Sequence, residues 1–214
     1  DKIKSLGLPF WLAGGKAGPE HLEYALSVGA AGVQVGTDFA FAKESGFDPA
    51  VKSRVLENVY AGTADVFTDP LASPTGFPFK VVQLDGTMSD QSVYEMRPKL
   101  CQLGFLRRLY KKPDGTVGYR CPGEPEKDYL RKGGTIEETE GKKCLCNSLV
   151  ANIGLPQTHK GGYVEKPLVT AGESLPQLRR YLSYDRHEYS ALDVINYILE
   201  PASDLEYEPY DHNF

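Results

Sequence analysis

Apolar and polar residues alternate in blocks along the first seventy positions. An unbroken apolar run, Leu8 to Ala13, stops at a glycine pair, Gly14-Gly15. A run that is continuous rather than alternating predicts a strand buried on both faces. Pro19 suits the first position of a helix, with Leu22, Ala25 and Leu26 on its core-facing side. Gly29 falls where a left-handed residue ends such a helix. Gly32 to Val35 is a second apolar run, ending in Gly36-Thr37. Strand, helix and strand in under thirty residues predict a parallel βαβ unit.

Asp48-Pro49 repeats the helix-start pattern, an N-cap followed by proline. Val51, Val55, Leu56 and Val59 then form one apolar stripe that ends at Gly62. Ala64 to Thr68 predicts a short extended segment. From "DPLASPTGFPFK" (Asp69 to Lys80) onward the periodicity weakens, and residues 69–172 are rich in Gly, Pro and charge. Helices return near the C-terminus. One follows Ser174; another runs from Ser190, with Asp193 three residues on, to Glu200 before Pro201. The final "SDLEYEPYDHNF" is acidic and expected to be loosely held. Three regions result: 1–68, 69–172 and 173–214.

Composition narrows the function. The chain is 41% hydrophobic and 25% charged over 214 residues, ordinary for a globular protein with a real core. Its net charge is −5 and no basic stripe interleaves with aromatics, which argues against nucleic acid as the main ligand. The sequence contains neither a signal peptide nor an apolar run long enough to span a bilayer, so a cytoplasmic protein without membrane association is expected. Asp1 stands only a few residues ahead of the first strand, and the chain reads as part of something longer.

Two successive parallel strands that both end on glycine raise a chemical question. Amides can surround a phosphate only where no bulky side chain intervenes, and a following helix adds its positive end. Gly14-Gly15 ahead of the Pro19 helix meets that description, and Gly36-Thr37 adds two amides and a hydroxyl. This is the arrangement expected after strands 7 and 8 of a (β/α)8 barrel. The alternative is that the glycines only make tight turns. Neither a Walker loop nor a G-x-G-x-x-G motif is present.

The remaining candidates are weaker. Cys101, Cys121, Cys144 and Cys146 are too few for a disulfide scaffold, and free thiols are the expected state. In an extended strand both thiols of "CLC" would face one zinc ion, yet 19 and 22 intervening residues do not form a C-x2-C knuckle. No metal is therefore assigned. The basic run "FLRRLYKK" (Phe105 to Lys112) predicts a solvated face. His21, His159, His187 and His212 lack the neighbours of a catalytic triad.

"PFWLAGGKAGPEHLEYALSVGAAGVQVGTDFAFAKESG" (Pro9 to Gly46) resembles the last two barrel strands of nitronate monooxygenases, also called 2-nitropropane dioxygenases. Flavin-type enoyl-acyl-carrier-protein reductases share these motifs. "TDPLASPTGFPFKVV" and "GKKCLCNSLVANIGLPQ" continue the resemblance toward a longer branch with a large C-terminal extension. The fold implied is α/β, the C-terminal portion of a TIM barrel followed by an irregular, partly helical extension. The resemblance implies FMN as cofactor, its phosphate held by Gly14, Gly15, Gln34, Val35, Gly36 and Thr37. Gly76, Pro78 and Lys80 match a segment near the flavin, and the family's catalytic histidine has no match here. The implied reaction is oxidation of a small alkyl nitronate with O2. Enoyl-thioester reduction with NAD(P)H is the alternative among flavoenzymes. Other readings are a flavin-free phosphate-binding barrel of the inosine-monophosphate-dehydrogenase kind and a non-catalytic interaction or metal-binding piece. The partners implied are the N-terminal part of the barrel and, for a chain with open strand edges, a second copy of itself.

Overall fold

The structure is a computed structural model that describes residues 2–98 and 100–201; the acidic C-terminal stretch and His212 lie outside the described residues. It is a mixed helix-and-strand fold built on small sheets. Strand β1 (Trp11–Ala13) leads into helix α1 (Pro19–Ser27), and β2 (Gly32–Gln34) returns parallel to β1 with Trp11 opposite Gly32. The expected βαβ unit is therefore present. Among the described residues each sheet has two strands, and no barrel closes.

That small size explains two departures from the sequence pattern. β1 is shorter than Leu8–Ala13 and is not buried: Trp11 is 57% exposed and Leu8 is exposed with it. One face of a two-stranded sheet has nothing packed on it, so apolar residues there meet solvent. On α1, Ala25 is buried and Leu22 packs on the core, but Leu26 is exposed.

A short turn of helix, α2 (Thr37–Ala40), leads to α3 (Pro49–Ala61). α3 forms for the reasons its sequence gives. The Asp48 carboxylate accepts hydrogen bonds from the amides of Ala50 and Val51 at 2.9 and 3.1 Å, satisfying donors that the first turn leaves free. Pro49 needs no such partner. Val51, Val55, Leu56 and Val59 are all buried, each worth about 1.5–3 kcal/mol gross on the usual area scale. Gly62, at φ 74°, takes the left-handed residue that ends the helix.

The chain then builds a hairpin of β3 (Val66–Asp69) and β4 (Phe79–Val82), paired antiparallel from Val66 opposite Val82 to Asp69 opposite Phe79. The region expected to be irregular holds α4 (Gln91–Met96), a second hairpin of β5 (Arg108–Lys111) and β6 (Val117–Arg120), α5 (Glu126–Arg131) and α6 (Leu145–Ala151). The basic run supplies β5, which is largely exposed as anticipated. "CLC" is not a strand: Cys144 precedes α6 and Cys146 lies in its first turn. The same-face argument for those two thiols therefore falls.

A 3-10 helix (Leu175–Tyr181) and α7 (Ala191–Leu199) bring the chain back onto the βαβ unit. Leu175, Leu178, Tyr189, Val194 and Ile198 join Phe41 and the α3 stripe in the main core. α7 opens with the expected capping box, in which Ser190 and Asp193 each bond the other's backbone. A second, smaller core of Val81, Met88, Leu145 and Leu168 lies under the middle region.

Candidate functional site

The parallel pairing of β1 and β2 brings their C-terminal ends side by side. Gly14, Gly15, Gln34, Val35, Gly36 and Thr37 line one open cavity of about 250 Å3. All six residues picked out in the sequence thus meet at one place. Gly14 and Gly15 take φ values of 88° and 65°, a region where a side chain is strained. A Cβ built on Gly14 or Gly36 would meet nothing within 4 Å, so the cavity wall there is bare backbone. Sites that enclose a drug-sized ligand run to about 300–1,000 Å3, so this cavity has room for a phosphate group but does not enclose a larger ligand whole.

Six further residues complete the wall: Ala13, Lys16, Ala17, Asp38, Gly172 and Ser174. Gly172 donates its amide to Thr37 Oγ1 at 2.8 Å, and a Cβ on it would sit 3.0 Å from that oxygen. A side chain at 172 would press on that hydroxyl, and Thr37 would have to give by a few tenths of an ångström. Asp38 is buried, with Arg180 Nη2 at 2.6 Å and the Tyr181 hydroxyl at 3.1 Å from Oδ1. Tyr189 donates its hydroxyl to the Asp38 carbonyl at 2.6 Å. Burial opposes the Arg180 charge, but the Tyr181 phenol and the Asp38 carboxylate outweigh it and hold its pKa above the ordinary range. Burial likewise pushes both phenols up, so they remain protonated donors.

Beyond the cup, Pro78, Phe79 and Lys80 line a shallow surface that shares Gly36, Thr37 and Gly172 with it. Lys80 is tied to Glu173, which also accepts from Thr68 Oγ1 at 3.2 Å. Gly76 lies at the turn before this strand and lines neither surface. The three described histidines stand elsewhere. His21 pairs with Glu20 on α1 at 2.9 Å, and His187 lies edge-on to Tyr60. His159 is buried, with Nε2 2.9 Å from Glu165 Oε2. That carboxylate also takes the Arg97 guanidinium and the Asn147 amide, so His159 belongs to a buried structural network.

A wider cleft of about 680 Å3 lies between the β3–β4 hairpin and the segment from Pro122 to Lys143. Burial lowers the pKa of Lys143, which stands 4.9 Å from the Tyr94 ring and donates to the Met88 carbonyl at 3.2 Å. Its size exceeds that of the cup. Its wall sets three carboxylates, Asp69, Glu124 and Glu126, against two lysines, Lys142 and Lys143. For anion binding the cup is the better candidate.

Compared with known protein families, curated proteins and solved structures, the chain matches none. Its function must be argued from its own residues. No described helix is long and apolar enough to cross a membrane.

Proposed function

We propose that the cup at the ends of β1 and β2 binds the phosphate of FMN, and that the chain is the cofactor-holding part of a nitronate-monooxygenase-type enzyme. The observation that carries this reading is the meeting of both glycine-terminated strand ends in one open cavity, with bare backbone at Gly14 and Gly36. FMN, when bound, would take electrons from the nitronate and pass them to O2.

The residues present fit the group. The amides of Gly14, Gly15 and Gly36 approach an anion without an intervening Cβ. Thr37 Oγ1 already accepts from Gly172, which leaves its own proton to donate to a phosphate oxygen. Lys16 adds a cation to the wall, and Arg180 cancels the one carboxylate there. No described histidine lines the cup, so the base that takes a substrate proton belongs to the barrel strands that this reading requires beyond β1 and β2. The uncovered apolar face of those two strands is where such strands would pack. A reducing cytoplasmic setting accompanies the reading and suits four free thiols.

The test is a titration of the 214-residue chain with FMN, followed by flavin fluorescence, with inorganic phosphate as competitor. Weak binding displaced by phosphate is expected. It should fall at least tenfold in Gly36→Val. Gly36 has φ −115°, so valine strains the backbone little there, unlike at Gly15. Wild-type affinity in Gly36→Val would remove the cup from the site. A nitronate-plus-O2 assay against an enoyl-thioester-plus-NAD(P)H assay, both on flavin-loaded protein, separates the two flavoenzyme activities.

A further inference from the structure

All four cysteines of the chain line one small, partly enclosed space, although they come from distant positions. Cys101 lies in the loop before β5, Cys121 directly follows β6, and Cys144 and Cys146 flank the start of α6. The space measures about 10 Å3, close to the room taken by one water-sized body. Three of the thiols are buried, and all four are free. The approach of the segments is built in. A Cβ on Gly123, two residues after Cys121, would sit 2.7 Å from the carbonyl oxygen of Lys143, the residue before Cys144. Only glycine lets the second thiol-bearing loop lie this close to the third.

We propose that these four cysteines form a structural zinc site. Four sulfur ligands around a space of single-atom size, three of them buried, are what a closed tetrathiolate zinc centre requires. Among the described residues no three His, Cys, Asp or Glu side chains already converge tightly enough to hold an ion. All four thiols nonetheless line the one space. Turning a cysteine from one staggered χ1 to another moves its sulfur by about 3 Å, enough to aim neighbouring thiols at a shared centre. On binding, Zn2+ replaces four S–H protons, which leave to solvent, and the centre carries a net charge of −2. Arg107 Nη2, 3.6 Å from Cys101 Sγ, is placed to offset it. Glu124, the one carboxylate on the wall, is engaged by Lys132 at 2.6 Å and is not needed as a ligand.

The surroundings also need a staple. The second core has only four buried apolar side chains, and the nearby helices α5 and α6 have six and seven residues. Small units with little core are those that rely on a metal. The site is independent of the FMN cup, so each proposal can fail without the other.

The experiment is metal analysis of the chain purified with reductant from zinc-supplemented medium. One zinc per chain is expected, together with four thiols that react with a thiol reagent only after a chelator is added. Cys121→Ser and Cys144→Ser should each cut zinc content at least tenfold. In case those variants fold poorly, cobalt is exchanged into the wild-type chain. Intense thiolate-to-cobalt charge transfer with tetrahedral visible bands is expected. Removing the metal should speed hydrogen exchange across residues 101–146 and leave α3 unchanged. A metal-free protein with four freely titrating thiols, a pair of disulfides, bound iron instead of zinc, or octahedral cobalt would each overturn the assignment.

Discussion

Removing the Arg180 guanidinium tests the charge balance beneath the cup. In Arg180→Met the Asp38 carboxylate remains, only 2% exposed, with the Tyr181 hydroxyl as its surviving side-chain partner. Deleting one member of a buried ion pair costs about 3–5 kcal/mol, because the other charge stays behind. The Arg180 side chain is 21% exposed, so water softens the loss toward about 3 kcal/mol. Arg180 also stands 4.5 Å from the Tyr197 ring centre and 5.1 Å from that of Tyr181, contacts worth about 0.5–1 kcal/mol more. Urea unfolding should therefore show a loss of about 3–4 kcal/mol, a large share of the roughly 5–15 kcal/mol that holds a domain together. Asp38→Asn removes the stranded charge, so a double-mutant cycle should give a coupling of about 2 kcal/mol. Phosphate binding gives a second readout: it should weaken in Arg180→Met, where a bare carboxylate faces the anion, and recover in the double variant. A coupling below about 0.5 kcal/mol, or unchanged phosphate affinity in Arg180→Met, refutes the argument.

Three other perturbations read separate parts of the fold. Glu165→Gln takes the charge from a carboxylate that meets Arg97, His159 and Asn147 in the interior, and should cost about 3 kcal/mol in urea unfolding; a loss below about 1 kcal/mol contradicts it. Thr37→Val removes the acceptor of the Gly172 amide and should speed hydrogen exchange at that amide, with Thr37→Ser restoring protection; unchanged exchange would show that the contact holds nothing. Asp193 has its pKa held below the ordinary carboxylate range by Arg186, then by Ser190. Its contribution is present above the unfolded-state value near pH 4 and lost as pH falls further. Asp193→Asn should cost about 1 kcal/mol at pH 7 and much less at pH 2, and equal losses at both pH values would sink the linkage.

Local signals carried much of this architecture. Asp48-Pro49, the Val51 to Val59 stripe and Ser190 with Asp193 each state a rule that acts within one or two helical turns, and each forms the expected element. The glycine pairs were legible because a bare strand end needs only its own residues. What the sequence could not show were contacts closed by the tertiary fold. Asp38 and Arg180 are 142 residues apart, and Gly172 reaches Thr37 across 135. No local pattern marks such partners. "CLC" misled for the opposite reason: two-residue spacing implies a shared face only if the backbone is extended, and α6 begins there instead. The Leu8 to Ala13 run reads as buried because its residues are apolar, yet burial depends on what packs against them.

The single tryptophan of the chain, Trp11, sits on that uncovered face, its indole close over Gly32. The protein thus contains its own optical gauge. Water around the ring sets a long emission wavelength, and anything that lays an apolar surface over β1 must shift that emission to the blue. Because there is one indole, the colour of the signal reports on one surface, without labels and without substitutions in the strands it watches.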